Sequence, residues 1–116
     1  MAKDNAPDGN LAGNRKAFHD YHVMERYEAG IELSGTEVKS CRARNINLAD
    51  SFVSIEYGQA WLLNAHIAVY TQGNRFNHTP KQRRRLLLHK KEILKIAQQV
   101  KEKGLTIIPV GVYLKG

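Results

Sequence analysis

The chain has 116 residues, a length that allows one small domain. It contains no run close to the roughly 20 apolar residues that a membrane-spanning helix requires, and we expect no secretory signal peptide at its start. The single cysteine, Cys41, excludes an internal disulfide framework and a cysteine-based zinc cluster. These features predict a cytoplasmic, reduced protein with no membrane-spanning segment.

Positive charge is concentrated in one part of the chain. Eighteen Lys and Arg residues oppose eleven Asp and Glu residues, which gives a formal net charge of +7. Nine basic and two acidic residues lie between positions 81 and 103, so this segment accounts for the whole excess. Such a cluster predicts an anionic partner, with nucleic acid as the first candidate and an anionic membrane as the second. The alternative is a solvated helix face without a partner.

The first half of the chain predicts one strand and one short helix. Polar residues rich in Gly, Asn and Asp open the chain, and apolar residues at mostly alternate positions follow. The spacing of Ser34 and Glu37 is typical of a capping box. The predicted elements are a flexible tail (1–13), a strand bent near Gly30 (15–33), a helix (34–42) and a polar loop (42–49), with the folded domain covering 14–116.

The second half predicts a hairpin, a long helix and a final strand. Two apolar runs flank a turn that contains Gly58, and Thr79 stands as an N-cap before Pro80 at the first helical position. Gly104 ends the apolar helical periodicity. The predicted elements are a hairpin (52–63), a strand (67–70), a loop (71–79), a helix that could break near His89 (80–103) and a strand (105–114).

The order and type of these elements predict the fold class. Several short, bent strands with few helices indicate a mainly β protein with helices, in the α+β class. Such strands are typical of a small closed or partly closed β-barrel and less typical of a flat sheet.

The five histidines do not have the spacing of a catalytic or metal site. His19 and His22 would point to opposite faces of the predicted strand, and the other three lie on separate elements. Cys41 has basic neighbours but no partnered histidine in view. An enzyme that uses His19, His22 or Cys41 is therefore an alternative without a supporting constellation, and we expect no catalytic residue, no metal and no cofactor.

Three consecutive arginines, Arg83, Arg84 and Arg85, fall in the predicted helix. Successive helical positions lie about 100° apart, so at least one guanidinium faces the protein and two can reach outward. Arginine binds phosphate bidentately and stacks on bases. One of the leucines at 86–88 could then lie exposed and pack against an unstacked base, or all three could pack between helix and sheet.

Six stretches carry a more specific pattern, namely NRKAFHDY (14–21), YEAGI (27–31), GTEVKS (35–40), DSF (50–52), RRLLLHKKEI (84–93) and LTIIPV (105–110). Together they resemble the SmpB family, the bacterial tmRNA-binding or SsrA-binding proteins. The resemblance implies an OB-like β-barrel with about three flanking helices. Relatives continue past the position of Gly116 with a closing strand and a basic C-terminal tail, which we expect to be absent here.

The resemblance also implies a function. Family members are adaptors of trans-translation that bind the tRNA-like domain of tmRNA at its D-loop and T-arm elbow. They support its aminoacylation and its delivery to stalled ribosomes, which are rescued while the incomplete protein is tagged. The implied partners are tmRNA, the ribosome and, indirectly, elongation factor Tu and alanyl-tRNA synthetase, with no membrane partner and no small-molecule substrate. The alternative is a general single-strand or ribosomal RNA-binding barrel without tmRNA specificity.

The family's tmRNA-binding patch matches Glu28, Leu87 and His89, and Arg84 and Arg85 are expected to contact phosphates. Arg44 stands where many relatives have a small, glycine-containing stretch, so it is a new basic candidate. The full predicted RNA-binding set is Asn14, Arg15, Lys16, His19, Tyr21, Glu28, Lys39, Arg42, Asn74, Arg84, Arg85, Leu87, His89 and Lys90.

Overall fold

The computed structural model describes residues 10–72 and 77–114, and in this part of the chain there are eight strands and three helices. In chain order they are β1 (Asn10–Gly13), α1 (Arg15–Asp20), β2 (Gly30–Ile31), α2 (Gly35–Arg42), β3 (Ile46–Asn47), β4 (Phe52–Glu56), β5 (Gln59–Leu63), β6 (His66–Ile67), β7 (Arg84–Leu87), α3 (Lys90–Lys103) and β8 (Gly111–Tyr113).

The strands form one larger antiparallel sheet and two small ones. The larger sheet has the order β2-β7-β5-β4, and the pairs β1-β8 and β3-β6 form the two-stranded sheets. Val53 in β4 also bridges to Ile107, whose carbonyl oxygen accepts from the Val53 N–H at 2.9 Å. The α+β class is confirmed, and the barrel is partly closed, since the three sheets do not join into one continuous ring within the described residues.

The predicted hairpin and the predicted capping box are both present. Tyr57 and Gly58, the central residues of the β4-β5 turn, have φ angles of 53° and 76°, as a type I′ turn requires. At the start of α2 the Glu37 N–H donates to the Ser34 hydroxyl at 3.4 Å, and the Ser34 N–H donates to the Glu37 carboxylate at 2.9 Å. These local signals predicted their elements because each is satisfied by neighbouring residues alone.

The long strand predicted over 15–33 is wrong. Its first part is α1, because the Asn14 side chain accepts from the Ala17 N–H at 3.2 Å and caps a helix there. Residues 21–29 are irregular, and only Gly30 and Ile31 pair in a sheet. The alternating apolar residues of this segment therefore do not form a strand face, and Tyr21, for example, is exposed.

The helix predicted over 80–103 is wrong in its first third. Residues 80–81 form a turn, and β7 pairs with both β2 and β5 before α3 begins at Lys90. Pairing on both edges supplies the backbone of 84–87 with hydrogen bonds that a helix would otherwise supply. The end of the helix is as predicted, because Gly104 adopts the left-handed conformation with φ of 63°.

Four smaller predictions also need correction. Residues 10–13, assigned to the flexible tail, form β1 and pair with β8, while residues 1–9 lie outside the described part. The polar loop at 42–49 contains β3, and the strand predicted at 67–70 is reduced to β6. The strand predicted over 105–114 is paired only at Ile107 and in β8.

The core lies between the larger sheet and the two small sheets. Leu48, Leu62 and Ala65 form one buried cluster, and Leu11, Cys41 and Ile67 form a second. Burial raises the pKa of the Cys41 thiol, so the thiolate needed for a nucleophilic or metal-binding role is disfavoured.

Candidate nucleic-acid interface

Strand β7 distributes its side chains over two faces of the larger sheet. Arg84 is 2% exposed and Leu86 packs against the core, whereas Arg83, Arg85 and Leu87 lie on the opposite face. The side chains of Arg83 and Arg85 are 55% and 37% exposed, and Leu87 is 46% exposed. The alternation follows from strand geometry, in which successive side chains point to opposite faces.

Arg84 forms a buried ion pair with Glu37, which joins β7 to α2. Its Nε donates to the carboxylate at 2.6 Å, and its Nη1 and Nη2 donate to the carbonyl oxygens of Ala65 at 2.7 Å and Pro80 at 2.9 Å. The guanidinium therefore holds together a helix, a strand and two connecting segments. This burial argues against the direct phosphate contact expected of Arg84.

Glu37 is ionised in this pair. Burial on its own raises the pKa of a carboxyl group, but the Ser34 N–H and the Arg84 guanidinium outweigh it and hold the pKa of Glu37 below its usual range. The Gln82 side chain donates to the same carboxylate at 3.2 Å. At neutral pH the buried charge is thus balanced and fully hydrogen-bonded.

Leu87 is the last residue of β7, a central strand of the larger sheet, and it pairs with β2, the strand that follows the segment containing Glu28. Gly30 pairs with Leu87, and a Cβ built on Gly30 would be 3.3 Å from two atoms of the Leu87 side chain. The absence of a side chain at Gly30 therefore leaves the space that Leu87 uses. Glu28 precedes Gly30 by two residues and His89 follows Leu87 by two, so the three patch residues predicted from the family resemblance lie on the segments that adjoin this pair.

The segment that carries Glu28 is tied to α3 by a surface cluster. The Glu25 carboxylate accepts from the Tyr27 hydroxyl at 2.7 Å, from Gln99 at 3.1 Å and from Lys95 at 3.3 Å. Hydrogen bonds from Tyr27, Gln99 and Lys95, in decreasing order, lower the pKa of Glu25 to about 2. The irregular segment before β2 is therefore fixed against the helix that follows His89. Glu28 itself is exposed.

The predicted site residues in and next to α1 form a second exposed group, to which the buried Asn14 does not belong. Asn14 is buried, and its amide donates to the carbonyl oxygens of Leu48 at 3.1 Å and Pro109 at 2.9 Å. All its side-chain contacts therefore serve the fold. The exposed members of this group are Arg15, Lys16, His19 and Tyr21. A hydrogen bond with Asp50 at 3.1 Å raises the pKa of Lys16, and His19 contacts Asp20 at 3.0 Å.

The remaining predicted residues lie on the two longer helices. Lys39 and Arg42 are exposed on α2, and the Lys39 ammonium lies 5.5 Å from the centroid of the Tyr70 ring. His89 is the N-cap residue of α3 and Lys90 its first residue, both exposed. Asn74 lies outside the described residues.

The structure also singles out two residues that the predicted RNA-binding set does not contain. Arg83 lies over Trp61, on the sheet face where Arg85 donates to Glu32 at 3.0 Å. Trp61 was expected in a hairpin and Arg83 in a helix, so nothing in the sequence indicated that they lie together. A run of like residues such as 83–85 has no period from which a strand face can be assigned.

The described residues contain neither a cluster of metal-ligating side chains nor a membrane-spanning helix. Within 10–72 and 77–114, no three His, Cys, Asp or Glu side chains are grouped so that they could hold a metal ion. In the same ranges, no helix is long and apolar enough to cross a membrane.

Comparison with known proteins assigns the family. The family model described as SmpB protein matches residues 11–116, nearly the whole chain. The chain belongs to the SmpB family. The match includes β1 and β8 as well as the larger sheet, so the family assignment applies to the complete described fold.

Curated relatives of the SmpB family are similar over most of their length. The SsrA-binding protein of Carboxydothermus hydrogenoformans is 58% identical over 106 residues, which cover 91% of this chain and 71% of that protein. The SsrA-binding protein of Ligilactobacillus salivarius is 55% identical over 115 residues, which cover 99% of this chain and 74% of that protein. A third, from Sulfurihydrogenibium sp., is 60% identical over 105 residues.

A solved structure of an SmpB relative has the same fold. It is described as "tmRNA-SmpB: a journey to the center of the bacterial ribosome", and it matches with a TM-score of 0.73 and 45% sequence identity. The match covers 90% of this chain and 73% of that one.

Proposed function

We propose that this protein is an RNA-binding adaptor of trans-translation, which binds the tRNA-like domain of tmRNA and accompanies it to stalled ribosomes. Membership of the SmpB family, relatives named SsrA-binding protein and a solved relative described with tmRNA and the bacterial ribosome support the proposal. The observation that carries it in this chain is Leu87, a large apolar side chain left exposed at the end of β7, two residues before His89 and paired with Gly30, two residues after Glu28.

The chemistry of this patch suits an RNA loop with unstacked bases. Leu87 can pack against the face of an unstacked base or the C–H face of a ribose. Glu28 can accept hydrogen bonds from a guanine edge or a ribose 2′-hydroxyl, and His89 can donate or accept. Lys90 follows at the start of α3 and supplies a cation for a phosphate. One surface thus combines contacts to bases and riboses, which give specificity, with electrostatic attraction to phosphates.

The partners follow from this role. We propose that the protein acts in the cytoplasm, where ribosomes translate, and that it meets elongation factor Tu and alanyl-tRNA synthetase only through the RNA that they share. In this proposal it positions RNA and performs no covalent chemistry of its own. Rescue of the ribosome and tagging of the incomplete protein are then the work of the assembled complex.

A competition titration at two salt concentrations tests the proposal. Labelled tRNA-like domain is bound to the protein and challenged with an ordinary tRNA and with an unrelated hairpin. We expect a preference for the tRNA-like domain that persists at the higher salt concentration, because base and ribose contacts are less sensitive to salt than phosphate contacts are. Equal competition by all three RNAs would contradict the proposal and leave a general RNA-binding protein.

A further inference from the structure

An arginine lies over the only tryptophan of the chain, on the outer face of the larger sheet. The guanidinium carbon of Arg83 is 4.1 Å from the centroid of the Trp61 ring. Its Nη1 also donates to Oε1 of Glu56 at 3.4 Å. The ring and the carboxylate together restrict the orientation of a side chain that is otherwise mobile in solvent, and more than half of that side chain remains exposed.

The Arg83–Trp61 pair belongs to the same surface as Leu87. Trp61 pairs with Arg85 across the strands, and Arg83, the residue before β7, alternates with Arg85 and Leu87 along the chain. A strand rises about 3.3 Å per residue, so the Cα atoms of Arg83 and Leu87 are about 13 Å apart on one face. One bound RNA can therefore contact both, and the pair extends the surface described above toward β5.

The charges of this face favour a stacked base over a cluster of phosphates. Arg83 is paired with Glu56 and Arg85 with Glu32, so the two cations are balanced by two carboxylates. Neutral surroundings weaken the attraction for phosphate but do not affect stacking, because every base has a π face and arginine planes stack on bases. The Trp61 ring lies under the Arg83 guanidinium and holds it in place through a cation–π contact.

We propose that an unpaired RNA base stacks on the open side of Arg83, above Trp61. The inference rests on the proposed function, since it requires that the protein binds RNA. It adds to that function a contact that neither the predicted RNA-binding set nor the Leu87 patch contains. Trp61 acts as a positioning residue in this arrangement, because it contacts the arginine and the arginine contacts the base.

Intrinsic fluorescence provides a direct readout, since Trp61 is the only tryptophan. We expect its emission to be quenched as the tRNA-like domain is titrated, with a midpoint equal to the dissociation constant from an independent binding assay. Arg83→Ala should bind about tenfold more weakly, within the range of one stacked base, and should not show the quenching. Its midpoint of urea unfolding should stay unchanged, because the Glu56 pair is exposed.

Two further variants separate stacking from charge. Arg83→Lys keeps the positive charge but not the planar group, so we expect it to bind as weakly as Arg83→Ala, with an unchanged dependence on salt. Lys101→Ala removes an exposed cation at the end of α3 and serves as the matched control, with wild-type quenching. Wild-type affinity of Arg83→Lys would overturn the proposal in favour of a simple charge contact.

The outcomes for the base stack and for the proposed function are distinguishable. Preference for the tRNA-like domain without any change in Trp61 emission, and with wild-type affinity of Arg83→Ala, would overturn the stack and leave the adaptor function intact. Loss of that preference in the wild-type chain, with quenching by every RNA that binds, would overturn the adaptor function and support the stack.

Discussion

On the inner face of β7, Arg84 has its guanidinium hydrogen-bonded on every side to Glu37 and to backbone carbonyls. On the outer face, Arg83 and Arg85 each contact one carboxylate and remain partly exposed. The residue type and the strand are the same, so the difference comes only from the alternation of a strand. A fully satisfied buried cation holds elements together, while a partly satisfied exposed one has donors left for a ligand.

The comparison teaches that residues which stabilise the fold and residues which are available to a ligand can alternate within five consecutive positions, 83–87. Changes on the inner face should affect the free energy of unfolding first. Changes on the outer face should affect RNA binding first and leave folding nearly unchanged, because exposed ion pairs contribute little to stability. The predictions below test that separation.

The largest effect is expected from Arg84→Met. Removal of the guanidinium leaves the Glu37 carboxylate buried without its main counter-charge, which costs about 3 to 5 kcal/mol of the free energy of unfolding. That is a large fraction of the total stability of a small domain. Urea denaturation followed by circular dichroism measures the loss, and a change below 1 kcal/mol would contradict the structural role of Arg84.

A double variant sharpens the same test. Arg84→Met combined with Glu37→Leu replaces the ion pair by apolar side chains, and we expect it to regain most of the lost stability because no buried charge is left unpaired. Two single losses that simply add in the double variant would indicate that the two residues do not act as a pair.

The sequence predicted the parts of this fold that are determined locally. The capping box at Ser34 and the turn at Gly58 depend on near neighbours, and both are present. The β7 strand was predicted as helix, because the residues from Arg83 to Leu88 have no alternation of polar and apolar types. Its strand conformation depends on pairing with β2 and β5, which are far away in sequence. The strand conformation of 84–87 is therefore determined by tertiary contacts and not by the local sequence.

The second prediction concerns Leu87 on the outer face. Leu87→Ala should weaken binding of the tRNA-like domain about tenfold, while its effect on unfolding stays small because the side chain is nearly half exposed. Leu94→Ala provides a matched control, since Leu94 is 60% exposed on α3 and lies outside the proposed surface. Equal affinities of the two variants at matched folding would contradict the assignment of the patch.

The candidate site stays a prediction, and the structure places its residues in different surroundings for physical reasons. Glu28, Leu87 and His89 came from the family resemblance, and the structure describes them on adjoining exposed segments. Asn14 was expected at the RNA but is buried as a helix cap. Composition cannot distinguish these cases, because an asparagine that caps a helix and one that binds RNA use the same amide.

The third prediction concerns Arg85 and the dependence of binding on salt. Arg85→Gln should reduce the slope of the logarithm of the binding constant against the logarithm of salt concentration by about one unit, because Arg85 is partly exposed and has donors for a phosphate besides the one that contacts Glu32. Lys101→Gln should leave the slope unchanged, because Lys101 lies outside the proposed surface. An Arg84 variant that still folds should leave the slope unchanged, because the Arg84 side chain is buried. An unchanged slope for Arg85→Gln would exclude the phosphate contact.

The smallest effect concerns the cluster that fixes the Glu28 segment against α3. The pKa of Glu25 is lowered to about 2, mostly by the Tyr27 hydroxyl and then by Gln99 and Lys95. A lowered carboxyl pKa stabilises the docked segment fully above the ordinary value of 4.5, and this contribution is lost as the pH falls from there through about 2. Nuclear magnetic resonance of the side-chain carboxyl carbon measures the titration. Tyr27→Phe should raise the pKa of Glu25 more than Lys95→Met does, and the reverse order would mean that the lysine charge dominates the cluster.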